Sequence, residues 1–370
     1  MTETNAMRAG LGPAVPPDPG ARHRADARTT AAPDLGIGID VGATKIVLGI
    51  VDQGGQVLRR AAIDPWQHPA LEDNLANLMD TLDRLLAPYD QERFFDIGVG
   101  IPGTVDPSSG VVSYTPNLRW FDLPLGAILA ERTGRRVHVI QDTGAAVWGE
   151  YLFGAGAGLR NVVCATIGSG LACGIVIDGR LYGGASNTAG EIGHLHVAGS
   201  SLVCGCGRRG CVEAGGSGLG LVKVFRRAVA DGAVSPVAAL PLARQDARAI
   251  FKAAKAGDAV CLGAIETMVG YLALGLSAVA TVLAPDALIL SGGLSREREL
   301  LVEPLIERIK AISYHTVCEN VQIVPARLGA DAPLVGAAFL HRAPEFAGGP
   351  ASGPAQWSGL ARRAAGRWLG

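Results

Sequence analysis

Apolar residues in "LGIGIDVGATKIVLGIVDQGGQVLRRAAID" (35–64) come in short β-rich runs on either side of "DVGATK", and "DQGG" supplies a further turn. That pattern predicts a hairpin with a glycine loop. The period then changes. Leu75, Leu78, Met79, Leu82, Leu85 and Leu86 recur at helical spacing within 74–89, which predicts an amphipathic helix. "FDIGVGIPG" (95–103) reads as a buried strand ending in a Pro-Gly loop, "LPLGAILAERTG" (123–134) as a helix, and "RRVHVIQD" as a strand ending at Asp142. Asp142 therefore stands where a strand hands over to a helix. "NVVCATIGSGLACGIVIDGRLYGG" (161–184) repeats the order of strand, glycine loop, strand and turn. Helices are predicted over 215–231, 246–256, 258–284, 301–313 and 332–343, and strands at "DALILSGG" and "VQIVPA". The repeated grammar suggests two related halves with a cleft between them.

At 370 residues the chain has room for two domains with real cores. Hydrophobic residues make up 48% and charged residues 18%, which favours buried globular structure over disorder. A formal net charge of −1 gives no electrostatic case for nucleic acid or an anionic membrane as partner. "YLALGLSAVATVLAPDALIL" (271–290) comes closest to a membrane span, but Pro285 and Asp286 break it, and a buried helix followed by a buried strand fits better. The 51 glycines cluster in loops such as "VGATK", "GSGLACG" and "SGGLS", where backbone can approach a ligand. Flexible tails are expected over 1–34 and 344–370, both rich in Pro, Ala or Gly. No apolar signal-peptide core is read at the N-terminus, so a cytoplasmic protein is expected.

The clearest chemical signal is "GEIGHLHVAGSSLVCGCGRRGCVEAGGSG" (190–218). His194, Cys204, Cys206 and Cys211 follow an H-x9-C-x-C-x4-C pattern, a soft donor set suited to tetrahedral structural zinc with no open position. "IDVGATK" (39–45) is a hairpin whose backbone N–H groups could meet phosphate oxygens, with Thr44 and Lys45 as added donors and Asp40 able to hold Mg²⁺ through water. It lacks P-loop spacing. "TIGSGLACG" and "LSGGLS" are two further strand-end glycine loops, and three such loops suit a nucleotide held between domains.

Taken together, "DVGATK", "GIPGTVD", "QDTGAAVWGE", "DGRLYGGASNTAGEIGH", "CGCGRRGC" and "LSGGLS" resemble the ROK family of sugar kinases, open reading frames and repressors, in order from about residue 35 to 342. The resemblance implies an α/β, two-domain actin-like ATPase (ribonuclease H-like) fold with an inter-domain cleft. The small domain is expected over 35–146 plus 330–343, and the large one over 147–329 with its zinc-binding loop at 190–213. Asp142 matches the family's catalytic aspartate. Gly103, Asn117, Gln141, Glu191, His194 and Glu213 match positions that bind or line the sugar site, and His194 would use one nitrogen for zinc and the other for sugar. Gly42, Thr44, Lys45, Gly168, Ser169 and Gly170 match phosphate loops, while Gly292 and Gly293 fall near adenosine. ATP, Mg²⁺ and structural Zn²⁺ are the implied cofactors, and a homodimer is expected because many members form one.

The family's kinases usually read N-D-A-N where this chain reads Gln141-Asp142-Thr143-Gly144. Gln moves the amide outward by about 1.5 Å, and Gly144 removes a hydrogen-bonding side chain. The expected activity is ATP-dependent phosphorylation of the primary hydroxyl of a hexose or hexose-like substrate, as in a glucokinase. A C7-cyclitol kinase of an aminocyclitol pathway and an N-acetylhexosamine kinase are the alternatives. Only 34 residues precede Leu35, too few for a repressor's helix-turn-helix domain, which leaves a non-catalytic sugar sensor as the remaining regulatory reading.

Overall fold

A computed structural model describes residues 33–65, 70–115 and 118–346. β1 (Leu35–Val41), β2 (Ile46–Asp52) and β3 (Val57–Ile63) form an antiparallel meander. α1 (Leu71–Leu86) buries Leu78, Met79, Leu82, Leu85 and Leu86, the stripe its spacing predicts. β4 (Phe94–Ile101) lies parallel to β1. β5 (Thr104–Asp106), β6 (Val111–Thr115) and β7 (Trp120–Leu123) build a separate three-stranded sheet that the sequence pattern does not reveal. α2 (Leu125–Thr133), β8 (Val137–Gln141) and α3 (Asp142–Phe153) follow, with β8 parallel to β4. The resulting sheet has the order β3-β2-β1-β4-β8.

The plan then repeats. β9 (Val162–Ile167), β10 (Leu171–Ile177) and β11 (Arg180–Leu181) form a second antiparallel meander. After α4 (Glu213–Gly216), α5 (Gly218–Ala230), α6 (Ala247–Lys255) and α7 (Ala259–Leu283) comes β12 (Ala287–Ser291), parallel to β9. α8 (Glu303–Ile312), α9 (His315–Asn320), β13 (Gln322–Pro325) and α10 (Ala332–Ala338) complete the chain. The second sheet, β11-β10-β9-β12-β13, matches the first in strand order and direction.

Several expectations are adjusted. The helix expected over 215–231 breaks at Ser217, whose extended backbone lets its hydroxyl accept the Gly220 N–H at 3.0 Å. The closing helix stops at Ala338 rather than 343, followed by a short 3-10 turn, Leu340–Arg342. α7 is long and apolar enough to cross a membrane, yet it buries Ile265, Met268, Leu272 and Leu276 in the protein core, as the reading of 271–290 anticipates. Most of both expected tails lies outside the described residues. Asp34, however, is tied to Arg93 by an ion pair of 2.6 Å, and Phe346 is buried against His138.

α10 packs on the first sheet and on α3 with almost no side-chain layer between them. A Cβ at Gly98 would overlap Ala337 O, one at Gly38 would overlap Leu334 O, and one at Gly336 would overlap Ala145 O. Trp148 Nε1 donates to Phe339 O at 3.0 Å, closing the same seam. Glu150 lies fully buried on α3 and accepts three backbone N–H groups: Ala155 at 2.8 Å, Arg327 at 3.1 Å and Leu328 at 2.7 Å. It fastens the segment after β13 to α3. Glu150→Ala should lower the unfolding free energy by about 3 kcal/mol or more, because buried donors are left unpaired. Glu150→Gln, which keeps one acceptor oxygen, should lose less; denaturant titration of both variants compares them.

Candidate active site

β1, β4 and β8 run parallel, so their C-terminal ends share one edge of the first sheet, the edge where ligands bind in open α/β sheets. Asp40 lies near the end of β1, Gly103 just beyond β4, and Asp142 just beyond β8. Asp142 is the first residue of α3, not its N-cap. Gln141 holds the cap position in an extended conformation without a capping bond of its own. The Asp142 carboxylate still accepts the Thr143 N–H at 2.8 Å, so it satisfies one free donor of the helix end.

Burial pushes the Asp142 carboxyl up to about 6; the Thr143 N–H opposes that rise and the Glu191 charge adds to it. A helix N-terminus alone would favour the ionised form, but here desolvation outweighs it. Asp40 is pushed up to about 7, first by burial and then by the charge of Asp142, with Lys45 pulling the other way. The two carboxylates therefore lie close enough to feel each other. Such a pair of hard oxygen donors fits Mg²⁺ chemistry.

Facing them is a chain of polar contacts. Gln141 Nε2 donates to Glu191 Oε1 at 2.8 Å. The other oxygen of Glu191 lies 3.9 Å from His194 Nε2, and His194 Nδ1 lies 3.8 Å from Cys204 Sγ. Glu213 opens α4, accepts the Leu171 N–H at 2.9 Å through Oε2, and approaches Cys204 Sγ at 3.5 Å through Oε1. One nitrogen of His194 is thus turned to the cysteines and the other to Glu191. The ligand atoms of His194, Cys204, Cys206 and Cys211 all lie within 4.8 Å of one another, and the Cys206 and Cys211 sulfurs are 3.7 Å apart. A tetrahedral site with metal–sulfur bonds of about 2.3 Å has edges of about 3.8 Å, so the donors fit one such ion. His196, off this cluster, is exposed and pairs by backbone with Cys211.

The glycine loops fall at two places. Gly42 N–H donates to Lys45 O at 2.9 Å in the β1–β2 turn, leaving Thr44 and Lys45 exposed. In the second sheet, Gly168 N–H reaches Gly170 O at 3.0 Å, and Gly218 N–H at the start of α5 reaches Gly168 O at 2.8 Å. Ser169 is exposed at the tip. Gly292 has φ +92° and lies so close to β9 that a Cβ would stand 2.6 Å from Ile167 N, while Gly293 faces open space. The 168–170 and 292–293 loops are therefore neighbours, as a shared nucleotide site needs. Gly103 (φ +107°) abuts Tyr114 on β6, where a Cβ would lie 3.0 Å from Thr115 Cα. Asn117 lies outside the described residues.

The ROK family profile matches residues 36–343. The chain belongs to the ROK family. It is 34% identical over 323 residues to a glucokinase of Streptomyces coelicolor, covering 84% of this chain and 98% of that protein. A xylose repressor of Caldicellulosiruptor bescii is 29% identical, over 81% of this chain and 76% of the repressor. The crystal structure of a ROK family glucokinase from Streptomyces griseus in complex with glucose and AMPPNP superposes with TM-score 0.71 at 33% identity, covering 83% of this chain and 98% of that one. The fold is the actin-like ATPase fold of the ROK kinases, and its two matching sheets are the two related halves read from the sequence. Two features of the site escaped sequence reasoning. The Gln141–Glu191 bond joins residues 50 apart, and Glu150 is a charged residue set among buried neighbours on α3, which was the one available signal for it.

Proposed function

We propose that this ROK protein is an ATP-dependent kinase that phosphorylates the primary hydroxyl of a hexose or hexose-like substrate. The observation that carries this reading is a half-buried carboxylate, Asp142, at the start of a helix and facing Glu191, with His194 and Glu213 in the same polar chain. In the reaction, the substrate oxygen bonds to the γ-phosphorus, the bond to the β–γ bridging oxygen breaks, and ADP leaves. The hydroxyl proton passes to Asp142. Phosphoryl transfer through a loose transition state depends more on positioning and charge neutralisation than on a strong base. Glu191, His194 and Glu213 would hold the sugar hydroxyls, and the loops at 42–45, 168–170 and 292–293 the nucleotide. Mg²⁺, held through water by Asp40, would neutralise phosphate charge. We assign the two sheets to two domains, 35–146 plus 330–343 and 147–329, closing over a cleft, in a cytoplasmic homodimer. The glucokinase relative is matched over nearly all of its length and the repressor over three quarters, which favours catalysis over regulation.

A second reading, a C7-cyclitol substrate, is favoured by Gln141. Its amide is engaged with Glu191, and Gly144 offers no side chain, so the acceptor ring meets fewer free hydrogen-bonding groups than N-D-A-N would give. Purified protein with ATP, Mg²⁺ and a panel of hexoses and C7-cyclitols should release ADP with at least one. Silence across the panel with folded protein would sink the kinase reading.

The Cys₃His cluster we assign to structural zinc, which would cross-link the 194–211 loop and fix His194. Metal analysis should find about one zinc per chain. Cys206→Ser should lower both the metal content and the melting temperature, whereas a metal-free protein of unchanged stability would refute the assignment.

A further inference from the structure

Beside the polar chain lies a cavity of about 100 Å³ to which the roles above assign no occupant. Gln141 is its shared wall, since its amide binds Glu191 while its residue also lines the cavity. The other walls are largely apolar: Ile140, Cys173, Ile175 and Leu181, with Asn187 offering a polar side chain and Glu345 a carboxylate already paired with Arg180 at 3.1 Å. Gly144, the third residue of α3, also lines it.

Gly144 is the informative residue. Glycine costs up to about 1 kcal/mol relative to alanine in a helix, and nothing in the backbone requires it here in the first turn, because Gly144 is not among the residues with positive φ. No backbone atom abuts it either. A Cβ at 144 would meet only the side chain of Ile140, with Cδ1 at 3.0 Å, and that side chain is itself cavity wall. What glycine preserves at this position is space.

We propose that this cavity is a subsite for a short uncharged alkyl or acyl substituent on the ring of the phosphoryl acceptor, with Gly144 the residue that keeps it open. The proposal rests on the kinase reading for the placement of the ring and names the substrate class within it. The size fits. A dry apolar cavity of about 150 Å³ accepts benzene, so this one suits a smaller group such as an acetyl or a short alkyl chain. The chemistry fits as well, because the aliphatic walls favour carbon and Asn187 can pair with one carbonyl or amide of an acyl group. A charged substituent would lose its hydration and find only Glu345 as a charged wall, whose carboxylate is already neutralised by Arg180.

The test compares parent hexoses with their mono-O-methyl and mono-N-acyl derivatives, using the full chain with ATP and Mg²⁺. Calorimetric binding of the same sugars is measured without nucleotide. At least one substituted sugar should have a kcat/KM, and an affinity, equal to or above its parent. Gly144→Asn should then lower the substituted-to-parent ratio by about 10- to 200-fold, the usual discrimination of a filled apolar pocket. Leu181→Phe, which enlarges a lining side chain on a different element, should act in the same direction, and melting curves confirm that each variant is folded. If every derivative binds and reacts worse than its parent, or if the ratio is unmoved in both folded variants, the subsite is overturned. No turnover of any sugar, with binding still favouring a substituted one and that preference lost in Gly144→Asn, would refute the kinase reading and uphold the subsite.

Discussion

Asp142→Asn is expected to reduce kcat by about 10²- to 10⁴-fold, the range for losing a positioned general base, while raising the melting temperature at pH 8. The two effects share a cause. Burial lifts this carboxyl from 3.8 to about 6, so its ionised form is a cost to the folded state at neutral pH. The sign follows from linkage: above about pH 6 the group is ionised in both states and the cost is complete, and below 3.8 it is protonated in both and the cost is gone. Asn removes a penalty of the order of 1–3 kcal/mol, loses a helix-dipole contribution of about 0.3–1 kcal/mol, and can still accept the Thr143 N–H. The stabilisation should therefore be largest at alkaline pH and disappear in acid. Wild-type kcat/KM should fall as pH drops through the 6–7 range, where Asp142 and Asp40 take up protons as a coupled pair. A variant that keeps its activity and is only less stable at pH 8 would instead identify Asp142 as a structural cap.

Gly336→Ala should be the most damaging single-methyl change in the described structure's α3–α10 seam, with a loss of about 3 kcal/mol or more. The added carbon would overlap Ala145 O and stand 2.6 Å from Gly149 N, both backbone atoms of α3 that no rotamer change can move aside. Relief requires the two helices to part. Because α3 begins at Asp142, any protein that still folds should also lose activity, since a displacement of about 1 Å at a reacting group can cost 10²-fold. Gly263→Ala supplies the opposite sign: on the exposed side of α7 its Cβ meets nothing within 4 Å, and the helix should gain about 0.5–1 kcal/mol. Equal melting temperatures for these two variants would refute the packing argument.

The elements legible in the sequence were those with a local cause. Strand–glycine–strand alternation announced both meanders, the Leu75 to Leu86 period announced α1, and cysteine spacing announced the cluster that the structure draws together around His194. Asp142 stood out because a lone acid followed a β-branched run. What stayed hidden depends on distant partners. β5 to β7 are three to five residues long, too short to establish a period. The break at Ser217 reflects a serine hydroxyl choosing a cap over a continuing helix. Glu150 finds its acceptors' partners 177 and 178 residues away. The cavity beside Gln141 exists only where β8, α3 and β10 meet the 182–189 loop.

The seam between α3 and α10 also sets an order of events during synthesis. Asp142 leaves the ribosome 196 residues before Ala338, the last residue of α10. At about 5–20 residues per second that interval is roughly 10–40 s. Throughout it, Gly98, Gly38 and α3 lack the helix that covers them. The proposed catalytic aspartate is thus put in place only when nearly all of the chain has been made. A nascent polypeptide, or one ended before α10, would carry the nucleotide loops and the cysteine cluster but no secured Asp142, so catalytic competence would itself report that translation had passed Ala338.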